Sequence, residues 1–141
     1  MRHDSPYYNF LASILSGVAP DTKVCARPDW DWEEFIRIAA DETVVPTVSA
    51  RLGELDIREL LPREVSDFFA AYAELNAERN QKIIDEIEEI AALLNRTGIE
   101  PMVLKGASYL LTKVYENPAH RFILDIDCMF RKRGLKMRFQ F

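Results

Sequence analysis

Between Arg63 and Thr97 the chain runs for 35 residues without a glycine or a proline, which leaves little room for anything but one long helix. Within that stretch Ile83, Ile87, Ile90 and Leu94 recur at steps of four, three and four, and this spacing lines side chains up on one helical face. Asp85, Glu86, Glu88 and Glu89 lie between them and read as a solvated outer face rather than a cation site. The helix is expected to start after Leu60-Leu61-Pro62 and to stop at Thr97-Gly98, where glycine can take the left-handed conformation that closes a last turn.

Upstream, Trp30, Trp32, Phe35, Ile36 and Ala39 form a helix with an aromatic face. Asp31 is its cap, and Glu33 and Glu34 stand in the favourable first turn. Pro46 disfavours helix at the residue before it, so a break is placed there and a second helix runs on through Leu52. Tyr7 to Val18 is interrupted by Asn9, Ser13, Ser16 and Gly17, and reads as a short amphipathic helix rather than the apolar heart of a secretion signal. No apolar stretch approaches the ~20 residues of a membrane span. With 48% hydrophobic and 29% charged residues, the 141-residue chain fits one modest globular core and excludes a disordered, collagenous or disulfide-built protein. Cys25 and Cys128 read as two reduced thiols, so a cytoplasmic protein is expected.

The formal charge of −5 gives no reason to expect a nucleic-acid or membrane-surface binder, yet it conceals a split. Residues 1–130 hold all 23 acidic residues against 13 basic ones, while Arg131, Lys132, Arg133, Lys136 and Arg138 crowd the last eleven positions.

The pattern changes at Ile99. Ile99 to Leu104 has the length and apolarity of a strand, Ala107 to Tyr115 has helical composition, Glu116-Asn117-Pro118 is a turn, and Phe122 to Phe130 reads as a second strand. In that second strand Phe122, Leu124, Ile126, Cys128 and Phe130 share one face, and Ile123, Asp125, Asp127 and Met129 the other. Two carboxylates therefore point the same way with Cα atoms ~7 Å apart, close enough to converge on bound cations. Oxygen ligands of this kind suit magnesium or manganese better than zinc. Aspartate is disfavoured in strands, so two in one apolar run call for a compensating cation. Lys105-Gly106-Ala107-Ser108 sits between the predicted strand and helix, where free amides can seat a phosphate. Gly106 admits a close approach, Ser108 offers a hydroxyl and Lys105 a point charge. The Gly-rich spacing of a Walker loop is absent. Together these features describe a device for nucleotidyl or phosphoryl transfer.

Val103-Leu104-Lys105-Gly106-Ala107, then Tyr115, Arg121 and Asp125-Ile126-Asp127, resembles the "LKG … Y … R-x-x-x-D-x-D" signature of the bacterial uncharacterised nucleotidyltransferase family, within the DNA polymerase β-like superfamily. Trp32-Glu33-Glu34-Phe35 through Val45-Pro46 is similar to the helical region that precedes the core in that family, so the resemblance covers most of residues 30–130. It implies an α+β fold: a helical region over 1–98, then a strand-helix-strand core fragment with a mixed sheet over 99–130. It implies Asp125 and Asp127 as catalytic metal ligands for Mg2+ or Mn2+. A nucleoside triphosphate would lie over Lys105, Gly106 and Ser108, with Arg121 assisting the phosphates, and the acceptor would be a hydroxyl of protein, sugar, small molecule or RNA. Tyr115 is assigned to packing, and Lys113 and His120 to the surface.

The chain departs from the family pattern in three places. Ala107 follows the glycine directly with Ser108 one place late, Leu124 stands where a small residue is usual, and no Asp or Glu follows Asp127 to serve as the family's third carboxylate. Truncation is the simplest account of the basic tail at 131–141 and of the missing carboxylate, which would leave activity impaired. A partner copy or chain completing the sheet is a further expectation. The rival reading is a catalytically silent helical interaction module whose unfinished sheet has a free edge.

Overall fold

A computed structural model describes residues 5–112, 114–115, 117–130 and the backbone of 136–140. The helices are α1 (Pro6–Ser16), α2 (Trp32–Asp41), α3 (Val45–Glu54), α4 (Arg63–Arg96) and α5 (Lys105–Leu111); the strands are β1 (Pro101–Leu104), β2 (Asp125–Phe130) and β3 (Lys136–Gln140). The fold is α+β, as expected. Among the described residues no helix is long and apolar enough to cross a membrane.

Local chemistry sets the helix ends. Asp31 accepts hydrogen bonds from the amides of Glu33 and Glu34 at 2.9 and 3.2 Å, and Pro46 occupies the first turn of α3, where its missing N–H costs nothing. Gly98 has φ +74°, its N–H bonds to Asn95 O and that of Ile99 to Leu94 O, which together close α4 with a paired C-terminal turn. Gly17 ends α1 in the same way, with φ +74° and bonds from 17 and 18 back to Ile14 O and Ser13 O.

Where one core was expected, the chain forms two compact units, each with its own buried cluster, which divide within α4 at Leu75 and Asn76, whereas the change of secondary structure falls at Gly98. In the first unit Phe10, Leu11 and Ile14 of α1 pack with Phe35, Ile38, Val45, Val48, Leu52, Val65 and Phe69. Phe35 is fully buried, with the rings of Phe10, Trp32, Trp30 and Phe69 centred 5.4–6.3 Å away. Ser49 ties α3 to α4 by donating to Phe69 O at 2.9 Å.

In the second unit Ile83 and Ile87 of α4 pack with Ala107 and Leu110 of α5 and with Ile123, Ile126, Cys128 and Phe130. Asp85, Glu86, Glu88 and Glu89 are all exposed, which establishes the solvated face. The sheet order is β1-β2-β3, with Leu104 opposite Asp127 in one ladder and Asp127 opposite Arg138 in the other.

Four expectations are corrected here. The sheet, expected to be mixed, is antiparallel in both pairings, because the seven-residue α5 and its loop reverse the chain instead of carrying it back to the same end. The second strand starts at Asp125 rather than Phe122. Among the described residues the preceding three have no ladder partner, so Ile123 turns into the core at 2% exposure and Leu124 into solvent at 56%. The helix expected over Ala107 to Tyr115 begins at Lys105 and ends at Leu111, after which Val114 N–H reaches Tyr109 O, five residues back. Finally, part of the expected basic tail is β3. Lys136-Met137-Arg138-Phe139-Gln140 alternates with the period of a strand, and it occupies the edge of β2 that was expected to be open. Residues 131–135 and 141 of that tail, and Lys113, lie outside the described residues.

Candidate functional site

The site is built on β2. Ile126, Cys128 and Phe130 are buried while Asp125, Asp127 and Met129 alternate with them at intermediate exposure, so both carboxylates stand on the face of the strand away from the core. Apolar anchoring on one side thus orients the acids on the other. Burial pushes the Cys128 thiol above its ordinary pKa, and the charge of Asp127 adds to the rise.

Leu104 is opposite Asp127, and Lys105 follows it directly at the junction of β1 and α5. The Lys105 ammonium Nζ lies 2.6 Å from Asp127 Oδ2. The left-handed backbone of this turn belongs to Lys105, at φ +53°, and not to the glycine after it. Gly106 serves another need: a Cβ there would stand 3.0 Å from Ile123 Cδ1, so the missing side chain is the space that Ile123 fills. Gly106→Ala is expected to push the Ile123 tip aside and cost about 1 kcal/mol, and pairing it with Ile123→Val should recover most of the loss in a urea titration.

Ser108 donates its hydroxyl to Lys105 O at 2.7 Å and closes the first turn of α5. Arg121 is exposed, and its carbonyl accepts from Asn76 Nδ2 at 2.9 Å and from Asn80 Nδ2 at 2.7 Å. Asn76 also donates to Ala119 O and Asn80 to Pro118 O, at 2.8 and 2.6 Å. Arg79, between them on α4, places its guanidinium 4.8 Å from the centre of the Phe122 ring. One turn of α4 therefore holds the whole segment 118–122 that leads into β2. Sequence reasoning missed these two asparagines; the available signal was their spacing of four, which sets both on one face of α4 in line with Ile83 and Ile87. Tyr115 packs its ring against Tyr109, as assigned, and Leu124, exposed, meets no limit on its size.

The structure thus unites Lys105 with Asp127, sets Asp125 on the same face, and places Gly106 and Ser108 on the turn that carries the lysine. Arg121 enters through its backbone. The paired carboxylates suit a hard divalent cation by donor type, and one already draws a cationic group to 2.6 Å. Among the described residues no group of three His, Cys, Asp or Glu surrounds them.

A family model described as "Uncharacterised nucleotidyltransferase" matches residues 28–137, a span that takes in α2 through β2 and the start of β3. No curated protein and no solved structure matches the chain.

Proposed function

Since the chain belongs to the uncharacterised nucleotidyltransferase family, we propose that Asp125 and Asp127 hold Mg2+, or Mn2+ in its place, beside a nucleoside triphosphate bound over Lys105, Gly106 and Ser108. Arg121 adds a second positive charge to the phosphates. A nucleoside monophosphate passes to an acceptor hydroxyl of a protein, sugar, small molecule or RNA, the hydroxyl oxygen bonding to the α-phosphorus as pyrophosphate leaves. The observation that carries this reading is the placement of two carboxylates on one face of β2 with the Lys105 ammonium already drawn to one of them.

When bound, the cation supplies charge neutralisation for the triphosphate. The chain's own residues supply position: β2 aims the carboxylates, the turn at 105–108 presents amides and a lysine, and the asparagine clamp sets the origin of the Arg121 side chain. The acceptor must also lose a proton. General-base help typically contributes ~10²–10⁴-fold, and among the described residues no third ligand-type side chain groups with the pair, so turnover is expected to be slow. The cytoplasmic assignment rests on Cys25 and Cys128, both free thiols.

Binding is the decisive readout. Calorimetry of the full chain with magnesium and a panel of ATP, GTP, CTP and UTP should find at least one ligand, and Asp125→Ala or Asp127→Ala should weaken it by about 100-fold or more. Release of pyrophosphate by the same protein measures turnover. Absence of binding to every triphosphate would remove the nucleotidyltransferase reading and leave the helical interaction module.

A further inference from the structure

Lys105 is the one site residue that combines an unusual backbone with a committed side chain. Its φ of +53° lies in the left-handed region, which a lysine enters only when its surroundings over-determine it. The adjacent Gly106, which would tolerate that conformation freely, does not take it. Because Leu104 is opposite Asp127, this bend sets the next residue beside the carboxylate strand, and the ammonium closes to 2.6 Å of Asp127 Oδ2. The two partners differ sharply in freedom. The Lys105 side chain is 72% exposed and that of Asp127 only 15%, so the ammonium can swing away into water while the carboxylate stays fixed to its strand.

We propose that Lys105 is an exchangeable counter-ion, which occupies Asp127 while the site is empty and moves to the triphosphate when a divalent cation takes its place. This rests on the reading that Asp125 and Asp127 hold the metal. An ammonium and a metal ion compete for the same oxygen, so the resting site resists a bare cation. The triphosphate offers the displaced lysine a new anionic partner, and metal and nucleotide therefore bind with positive coupling, each strengthening the other by the same factor.

The test measures binding, not turnover. Mn2+ is titrated into the full chain and followed by calorimetry or by the resonance signal of free Mn2+, first alone and then with the best-binding triphosphate of the panel. In Lys105→Met, Mn2+ alone is expected to bind about five- to tenfold tighter, because its competitor is gone. The triphosphate at saturating Mn2+ should bind about five- to tenfold weaker, because its cation is gone. Lys105→Gly suits a φ of +53° and keeps the fold, so it should show both shifts with a melting temperature no lower than that of the parent chain. Lys82→Met removes the same charge from the exposed side of α4 and should leave both affinities within about twofold.

Opposite shifts in both Lys105 variants, and not in Lys82→Met, support the exchange. Unchanged or weaker Mn2+ binding in the Lys105 variants, or an equal gain in Lys82→Met, overturns it while the metal site itself stands. Failure of every protein to bind Mn2+ removes the metal reading and the exchange with it.

Discussion

Phe35→Ala should lower the unfolding free energy of the helical unit by about 3–5 kcal/mol, the usual cost of emptying an aromatic site that cannot collapse. Phe35 has no exposed surface, and the four rings around it are held by three different helices and by the segment at Trp30. None of them can move into the void without leaving its own edge-to-face contacts, so the cavity term is retained in full. Denaturant titration followed by circular dichroism and tryptophan fluorescence reads the change, since Trp30 and Trp32 both border the site. Leu60→Ala, at a position already 58% exposed, should stay within about 0.5 kcal/mol. A similar small effect for Phe35→Ala would mean that the aromatic cluster does not hold this unit together.

The second large effect is expected at Asn80→Asp. The substitution keeps the shape of the side chain, but it removes the amide that donates to Pro118 O and Arg121 O and sets a carboxylate oxygen against those two carbonyls. Because residue 80 is completely buried, solvent cannot compensate, and a loss of about 3–5 kcal/mol near neutral pH follows. The sign of its pH dependence is fixed. The unfolded carboxyl titrates near its reference value of ~3.9, whereas repulsion and burial raise the folded one. The folded state then holds more protons, and stability falls as pH rises from ~4 through the raised folded value. In acid the carboxyl is protonated and can donate one of the lost hydrogen bonds, so Asn80→Asp should approach the parent chain there. Asn80→Ala should lose about 2–3 kcal/mol with no such pH dependence, since it also removes an Oδ1 that is buried without a hydrogen-bond partner. Melting curves between pH 4 and 8 distinguish the two. Equal losses at all pH values in both variants would show that the clamp is not electrostatic.

What could be read from the sequence was what depends on neighbours along the chain. Asp31 and Gly98 each act within a few residues of themselves, and the helix ends they imply are the observed ones; the break expected just before Pro46 falls earlier, at 42–44, because proline fits the first turn of α3 and leaves Val45 helical. The acid pair at 125 and 127 was legible for the same reason, because a two-residue period needs no partner to be recognised. Long-range pairing was not legible. The asparagine clamp joins residues 38 to 45 positions apart and ends on backbone carbonyls, which every residue type carries, so nothing at 118–121 advertises it. The approach of Lys105 to Asp127 is set by the β1–β2 register, and register is a tertiary property. The alternation at 136–140, by contrast, is present in the sequence, with Met137 and Phe139 set between Lys136, Arg138 and Gln140.

The position of β2 between two antiparallel neighbours has a dynamic consequence. Backbone amides in a strand paired along both edges open only with the collapse of the surrounding sheet, so deuterium should enter this strand among the last places in residues 76–141. The scaffold beneath the acids is therefore rigid before any ligand arrives, and recognition has to order side chains without first ordering a backbone. Under the exchange proposed for Lys105, an encounter at such a surface spends little conformational entropy, since side chains and not backbone are ordered.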